Sequence, residues 1–210
     1  ANVETWNGTN WTEVNDLNVA KRGLGSARQT STSSIVFGGY ATTSLATAES
    51  WNGTNWTEEN DMSAARNQIG GAGSSSTNAI AFGGDTSTST EEWSGAGTLI
   101  GAWSTSTPLN TARTESMGSG SSAEAALIFG GPSSETKTES WDGSSWTEVN
   151  DLNTGRGGAG SSTGAYTSVI VFGGEPVTAN AEAWNGTNWT EVGDLNTARR
   201  FLGGAGADNT

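Results

Sequence analysis

One pattern of apolar and polar positions recurs along the chain. A short apolar run ends in a Gly-Gly pair, two tryptophans follow, and then come an apolar residue and a cation. The apolar runs are bounded by glycine and by Asn-Gly turns, and they lack the 3.6-residue period of an amphipathic helix. Asn-Gly between such runs is typical of a tight hairpin. The pattern therefore predicts an all-β fold.

The spacing within the repeat is regular. Six residues after each second tryptophan stands a Leu or Met, and four residues later stands a Lys or Arg. The tryptophan pairs are Trp6/Trp11, Trp51/Trp56, Trp93/Trp103, Trp141/Trp146 and Trp184/Trp189. The cations are Lys21, Arg66, Arg113, Arg156 and Arg199. Five copies of one unit indicate a closed repeat architecture.

The repeat length predicts the architecture. Successive cations are 43 to 47 residues apart, and in four repeats the Gly-Gly pair begins 17 residues after the cation. About 42–47 residues is the size of a four-stranded propeller blade. We expect an innermost Gly-rich strand after the cation, a second strand ending in Gly-Gly, a third running into the first tryptophan and a fourth leaving the second. The prediction is a five-bladed β-propeller.

The repeat also predicts the domain organisation. Residues 1–210 form one propeller domain, with units at approximately 21–65, 66–112, 113–155 and 156–198 and a composite last blade from 199–210 and 1–20. The segment Ser94 to Ala102 is a loop insertion. A fifth Gly-Gly strand is missing, which leaves three interpretations: a three-stranded last blade, a strand from a partner, or a domain cut from a longer array.

Composition and charge narrow the function classes. The net charge is −13, and neither Cys nor His is present. Such a charge repels nucleic acid and anionic membrane surfaces, and no apolar run is long enough for membrane insertion. Without thiolates or imidazoles, the commonest nucleophile, base and metal ligands are missing. We therefore expect no enzyme activity, no catalytic residue, no metal site and no cofactor.

Two sets of residues are candidates for ligand binding. A glutamate stands two residues before each first tryptophan and shares its strand face. We predict that it pairs structurally with a cation between blades; the alternatives are a ligand-binding ring at the channel mouth and paired catalytic carboxylates. The tryptophans pack between blades or stack on sugar rings. The candidate ligand-binding residues are Trp51, Asn52, Trp56, Trp141, Asp142, Trp146, Trp184, Asn185, Trp189, Arg66, Arg113, Arg156 and Arg199.

The apolar run ending in Gly-Gly, the tryptophan that starts the last strand and the Leu-Asn-Thr-Ala-Arg segment together resemble kelch repeats. Kelch propellers usually have six or seven blades and often Tyr before Gly-Gly, where this chain has five units and Phe. The resemblance implies a propeller scaffold. The copper chemistry of galactose oxidase does not transfer, because its Cys-linked Tyr and His ligands have no counterparts here. The turn Trp141 to Trp146 is similar to the Asp-box hairpin of sialidases, which we attribute to convergent turn chemistry.

The repeat style is also similar to kelch-like arrays in fibre or surface proteins of marine phages and bacteria. We therefore expect a non-catalytic binding module, lectin-like or receptor-binding, on a virion or cell surface and therefore extracellular. Its partner would be a glycan or a surface protein, with attachment to a larger fibre or assembly. The alternatives are a structural, decoration or engineered propeller with no dedicated ligand and, third, a glycan-active enzyme.

Overall fold

The computed structural model describes residues 2–95 and 101–206. Apart from one 3₁₀ turn at Pro132–Ser134, all regular structure in these residues is β-strand. None of the described residues forms a helix long and apolar enough to cross a membrane. The strands are β1 (Val3–Trp6), β2 (Trp11–Val14), β3 (Gly25–Thr30), β4 (Ser33–Phe37), β5 (Ala48–Trp51), β6 (Trp56–Glu59), β7 (Gly70–Ser75), β8 (Asn78–Phe82), β9 (Thr90–Ser94), β10 (Ala102–Ser106), β11 (Met117–Ser122), β12 (Ala125–Phe129), β13 (Thr138–Trp141), β14 (Trp146–Val149), β15 (Gly160–Ser161), β16 (Val169–Phe172), β17 (Ala181–Trp184) and β18 (Trp189–Val192).

The strands form a five-bladed β-propeller, as the repeat predicts. Strands β3–β6, β7–β10, β11–β14 and β15–β18 make four antiparallel sheets of four strands in chain order, and β1–β2 make a sheet of two. We call these sheets blades 1 to 4 and blade 5. The predicted order of strands within a unit is confirmed. The insertion joins β9 to β10, and its residues 96–100 lie outside the described residues.

The first strand of each blade lies at the centre of the ring. Strands β3, β7, β11 and β15, together with residues 202–204, line a central cavity of about 330 Å³. Small side chains are required here because neighbouring inner strands approach closely. A Cβ on Gly71 of β7 would lie 2.7 Å from the Ser26 carbonyl oxygen of β3. The Gly-rich composition of the inner strands follows from this approach.

The second strand of each blade is buried on both faces. In β8, Ala79 and Ala81 pack toward blade 1, while Ile80 and Phe82 pack toward blade 3. Burial on both faces explains why these strands are continuous apolar runs rather than alternating ones. The three hydrophobic clusters of the described residues lie between blades 1 and 2, 2 and 3, and 3 and 4. The core is therefore the set of interfaces between blades.

The Gly-Gly pairs connect each blade to the next. The first glycine has a left-handed φ, which turns the chain out of the second strand. The N–H of the second glycine donates to the backbone carbonyl of the next repeat's cation. These bonds are Gly39 to Arg66 (2.8 Å), Gly84 to Arg113 (3.0 Å), Gly131 to Arg156 (3.0 Å) and Gly174 to Arg199 (2.9 Å). The fixed spacing between cation and Gly-Gly preserves these bonds.

Blade 5 is built from both ends of the chain, as predicted. Its outer strands are β1 and β2, and the extended C-terminal segment 202–206 takes the inner position. The Thr163 N–H donates to the Gly206 carbonyl at 3.1 Å, and the Arg28 guanidinium donates to the Gly204 carbonyl at 3.1 Å. Residues 202–206 thus lie between the inner strands of blades 4 and 1.

Candidate binding site

The repeated cations form buried ion pairs with the repeated glutamates. The pairs are Lys21–Glu49 (3.2 Å), Arg66–Glu91 (2.6 Å), Arg113–Glu139 and Arg156–Glu182 (2.6 Å). Both partners of each pair belong to the same blade, because the cation precedes the first strand and the glutamate lies on the third. The prediction of pairing between blades was therefore wrong. The pairs are structural, since all eight side chains are buried.

Each of these glutamates also holds the segment that enters its blade. In blade 3, the Glu139 carboxylate accepts the N–H groups of Asn110 (2.8 Å) and Thr111 (3.3 Å). Glu91 accepts the Ser63 N–H at 2.8 Å in the same way. A buried carboxylate requires such donors in addition to its cation. The glutamates therefore hold the crossing between blades through these backbone hydrogen bonds as well as through the cation on the same segment.

The fifth predicted pair does not form. Arg199 and Glu4 are both exposed, and neither makes an ion pair within the described residues. The difference lies in blade 5, where no second strand among the described residues closes over the pair. Of the four arginines predicted to bind a ligand, Arg66, Arg113 and Arg156 lie away from solvent, and Arg199 alone lies on the surface.

Most of the tryptophans pack inside the propeller. The first tryptophan of blades 1 to 4 is at most 4% exposed. The second tryptophan meets the phenylalanine of the preceding blade edge-on. These ring pairs are Phe37–Trp103 (5.0 Å), Phe82–Trp146 (5.1 Å) and Phe129–Trp189 (4.9 Å). Such edge-to-face contacts stabilise the interface beyond the area that they bury. Among the predicted tryptophans, Trp51, Trp141, Trp146, Trp184 and Trp189 are thus buried, and Trp56 is half-buried.

The hairpin turns between the paired tryptophans are exposed. Asn52, Asp142 and Asn185 each accept two backbone N–H groups of their own turn at 2.8 to 2.9 Å. These bonds hold the turn, which is the local role expected for Asn and Asp. The Ser145 N–H, with further donors from Ser144, lowers the pKa of Asp142 to about 2. The turns lie at the hairpin face of the propeller, opposite the loops that follow Gly-Gly.

A ring of five residues surrounds the other end of the central cavity. We call Gly23, Gln68, Glu115, Gly158 and Phe201 the mouth ring. Each stands two residues after a repeated cation and directly before a residue that lines the cavity. Backbone hydrogen bonds connect several neighbours: the N–H of Gln68 donates to the Gly23 carbonyl (2.7 Å), that of Gly158 to Glu115 (2.9 Å) and that of Phe201 to Gly158 (2.6 Å).

All five residues of the mouth ring have left-handed backbone conformations, with φ between 52° and 61°. Glycine adopts this conformation readily, as at Gly23 and Gly158. In Gln68, Glu115 and Phe201 a Cβ opposes it, at a cost of about 1–2 kcal/mol per residue. Residues kept in such conformations cluster at ligand-binding sites. The side chains of Gln68, Glu115 and Phe201 therefore destabilise the fold at this position, and a structural role does not explain them.

The side chains of the mouth ring form an ordered polar and aromatic surface. The Gln68 Nε2 donates to the Glu115 Oε1 at 2.8 Å, and the Thr114 hydroxyl donates to the Gln68 Oε1 at 2.9 Å. Phe201 is 63% exposed, and the Arg200 guanidinium lies 5.2 Å from its ring centroid. An aromatic face beside fixed amide and carboxylate groups is suited to binding a polar ligand with an apolar side.

None of the three non-glycine members was among the residues predicted from sequence. The available signal was variation at one position of an otherwise regular repeat, since the residue two after the cation is Gly, Gln, Glu, Gly and Phe in turn. Within the described residues no group of three or more His, Cys, Asp or Glu side chains could hold a metal ion.

The fold and the mouth ring define a β-propeller with an open central cavity. No protein-family model matches the chain. A search of curated proteins likewise gives no match.

Proposed function

We propose that this protein is a non-catalytic binding module of kelch-like type that holds its ligand at the mouth ring. The observation that carries the proposal is the left-handed conformation of Gln68, Glu115 and Phe201, at a position where two other repeats have glycine. A scaffold under no other demand would have glycine there throughout. Non-glycine residues held in left-handed conformations tend to cluster at functional sites. The others among the described residues, Asp85, Thr86, Ser133 and Ser134, lie in the loops that follow Gly-Gly.

The chemistry of the mouth ring favours a glycan or a polar protein loop as the ligand. The exposed Phe201 ring offers a stacking face, and Gln68 and Glu115 offer hydrogen-bond groups whose positions are already fixed. Sugars present an apolar ring face and hydroxyl groups together, which matches this combination. The net charge of −13 favours neutral or cationic ligands over anionic ones.

The loops that follow Gly-Gly extend the proposed binding surface. They differ between blades in length and sequence, whereas the third strands all contain Glu-x-Trp. Tyr40 in one of these loops lies 5.3 Å from the Arg22 guanidinium, and Asp85 in another accepts the Ser44 hydroxyl at 2.9 Å. Variable loops on a rigid scaffold are a common basis of recognition. On this proposal the protein acts on a virion or cell surface, attached to a larger assembly.

A structural role without a ligand is the second candidate. Four of the five repeated cations form buried ion pairs, which favours this role, because the charged groups that recur in every repeat then stabilise the fold. This candidate gives no reason for the non-glycine residues of the mouth ring. The two candidate functions therefore make different predictions for a variant that lacks the side chains of Gln68 and Glu115.

The test compares the native chain with a Gln68→Gly/Glu115→Gly variant on a glycan array, with and without Ca²⁺. Glycine suits the backbone at both positions, so we expect the variant to be more stable, by about 1 kcal/mol per site, and to lose binding. Urea denaturation measures the stability. Retained binding by a variant of higher stability contradicts the proposed site, and absence of any glycan or protein ligand favours the structural role.

A second variant tests whether the ligand binds at the hairpin face instead of the mouth ring. Asn52→Asp preserves the hairpin turn, since Asp142 holds the equivalent turn in blade 3. We expect it to bind as the native chain does. Loss of binding in this variant, with binding intact in the mouth-ring variant, would move the ligand to the hairpin face.

A further inference from the structure

Blade 5 has a position that no strand of the described residues occupies. In blades 1 to 4 the second strand, β4, β8, β12 or β16, lies between the inner strand and the third strand. In blade 5, β1 pairs with β2 alone. A cleft of about 880 Å³ lies beside β1, and the residues lining it include Val3, Trp6, Val36, Trp56, Ala165 and Gly206.

The backbone around this cleft has an acceptor without its usual donor. The carbonyls of Arg66, Arg113, Arg156 and Arg199 each accept the N–H of a Gly-Gly pair in the preceding blade. Lys21 is the equivalent residue of blade 1, and its carbonyl accepts no backbone N–H among the described residues outside the sheet pairings. The preceding blade is blade 5, so the missing donor belongs to the second strand of blade 5.

The side chains around the cleft also lack a partner that the equivalent residues of other blades have. Trp103, Trp146 and Trp189 each meet the phenylalanine of the preceding blade's second strand. Trp56 is the equivalent residue of blade 1, but within the described part of the chain its only ring contact is with Trp51. Trp6, the first tryptophan of blade 5, is 48% exposed, whereas the first tryptophans of the other blades are at most 4% exposed. A phenylalanine is thus missing at the Trp56 ring.

We propose that this cleft accepts an extended peptide segment that is none of the strands β1 to β18 and that completes blade 5 as its second strand. Exposed strand edges bind peptides by β-augmentation, in which backbone hydrogen bonds give affinity and side-chain pockets give selectivity. The occupant pairs with β1, its phenylalanine meets Trp56, and the N–H of its last glycine donates to the Lys21 carbonyl.

The four complete blades specify the sequence of the occupant. On the second strands of blades 1 to 3, the residues that pack toward the following blade are a large aliphatic residue and Phe, two positions apart: Ile35 and Phe37, Ile80 and Phe82, and Leu127 and Phe129. Ile170 and Phe172 hold the same positions on β16. The partner segment therefore has the form Ile/Leu-x-Phe-Gly-Gly. All four such runs of the 210-residue sequence already form β4, β8, β12 and β16, so the occupant comes from outside them.

The probe is a capped synthetic peptide with the sequence of residues 78–84, Asn-Ala-Ile-Ala-Phe-Gly-Gly. We expect saturable binding to the full chain by calorimetry and decreased acrylamide quenching of tryptophan fluorescence, because the peptide covers the cleft. Hydrogen exchange should slow in β1 and remain unchanged in β13. A peptide in which Ala replaces the Phe should bind at least about tenfold more weakly, as expected for an aromatic anchor.

Two protein variants locate the site. Trp56→Leu removes the proposed partner of the peptide's phenylalanine, and we expect it to weaken binding at least about tenfold. Trp103→Leu makes the same change in blade 2, where Phe37 already occupies the equivalent place, and should leave peptide binding unchanged. Equal effects of the two variants would overturn the assignment to the cleft.

A short free peptide binds weakly, so the same segment is also tested when it is joined covalently to the chain. The same seven residues are joined after Thr210, and a second extension carries Asp in place of its Ile and Phe. The first should raise the thermal midpoint and protect β1 from exchange, and the second should do neither. The proposal is overturned if neither the free nor the joined segment protects β1. It is also overturned if sedimentation shows a dimer with β1 protected, since a second copy then fills the cleft.

Discussion

Blades 3 and 5 have closely related sequences and different environments. In blade 3, Trp141 and Trp146 are at most 5% exposed and Glu139 is fully buried with Arg113. In blade 5 the equivalent tryptophans are exposed, and Glu4 has no ion pair within the described residues. The third and fourth strands pair in the same register in both.

The difference between the two blades is the second strand. In blade 3 it supplies Ala126 and Ile128, against which the first tryptophan, Trp141, packs, and it covers the ion pair from solvent. A repeated motif therefore fixes the strand pairing locally, but burial and ion pairing depend on the neighbouring elements. The same glutamate is a structural group in one blade and a surface group in another.

The largest expected effect comes from breaking the buried ion pair of blade 3. Glu139→Gln removes the charge that balances Arg113, which is 1% exposed, and it turns an amide N–H₂ toward backbone donors. Leaving one buried charge without its partner costs about 3–5 kcal/mol. Urea denaturation of the native and variant chains measures the loss in unfolding free energy.

The matched control is Glu4→Gln, the same change in blade 5. Because Glu4 is exposed and makes no ion pair in the described part of the chain, we expect a change within about 0.5 kcal/mol. Similar losses of unfolding free energy in the two variants would contradict the view that the second strand determines how much this glutamate stabilises the fold.

The sequence predicts the features that depend on spacing. The five units, the strand order within a unit and the composite blade all follow from the fixed distances among Trp, cation and Gly-Gly, because those distances are set by strand pairing and by the Gly-Gly bond to the next blade. Apolar character on both faces of the second strand likewise predicts its position between blades.

The sequence does not predict features that depend on backbone conformation or on a neighbour. Regular spacing cannot show whether Glu139 pairs within its blade or across to the next, since both geometries keep the same period. The left-handed conformation of Gln68 cannot be predicted from the sequence, because nothing in its side chain favours that conformation. Nor does the tryptophan motif distinguish Trp6 from Trp141, because the burial of the first tryptophan depends on the second strand of its own blade.

A smaller effect concerns one interface between blades. The indole N–H groups of Trp146 and Trp189 donate to the hydroxyls of Thr90 and Thr138 at 3.0 and 3.1 Å. The equivalent residue for Trp103 is Ala48, and the buried Trp103 Nε1 has no hydrogen-bond partner among the described residues. Ala48→Thr supplies the hydroxyl, and we expect it to raise the unfolding free energy by about 1 kcal/mol.

The control for this change is Ala48→Val, which has nearly the same shape and no hydroxyl. The difference between the Thr and Val variants, measured by thermal and urea denaturation, isolates the hydrogen bond from the packing. If the two variants are equally stable, the hydroxyl does not reach Trp103, and the geometry of this interface differs from that of the next two.

The smallest effect is a pH dependence confined to one hairpin. Hydrogen bonds from the Ser145 and Ser144 N–H groups lower the pKa of Asp142 from 3.8 to about 2. A lowered pKa in the folded state means that the carboxylate stabilises the fold above pH 4, and that this contribution is lost as the pH falls through 2. Carbon-detected NMR titration should place the Asp142 midpoint near 2. The equivalent turns of blades 1 and 4 use Asn52 and Asn185 for the same bonds, so Asp142→Asn should keep the hairpin and remove this part of the pH dependence. A midpoint near 3.8 would show that the turn does not hold the carboxylate, and the three hairpins would then not be equivalent.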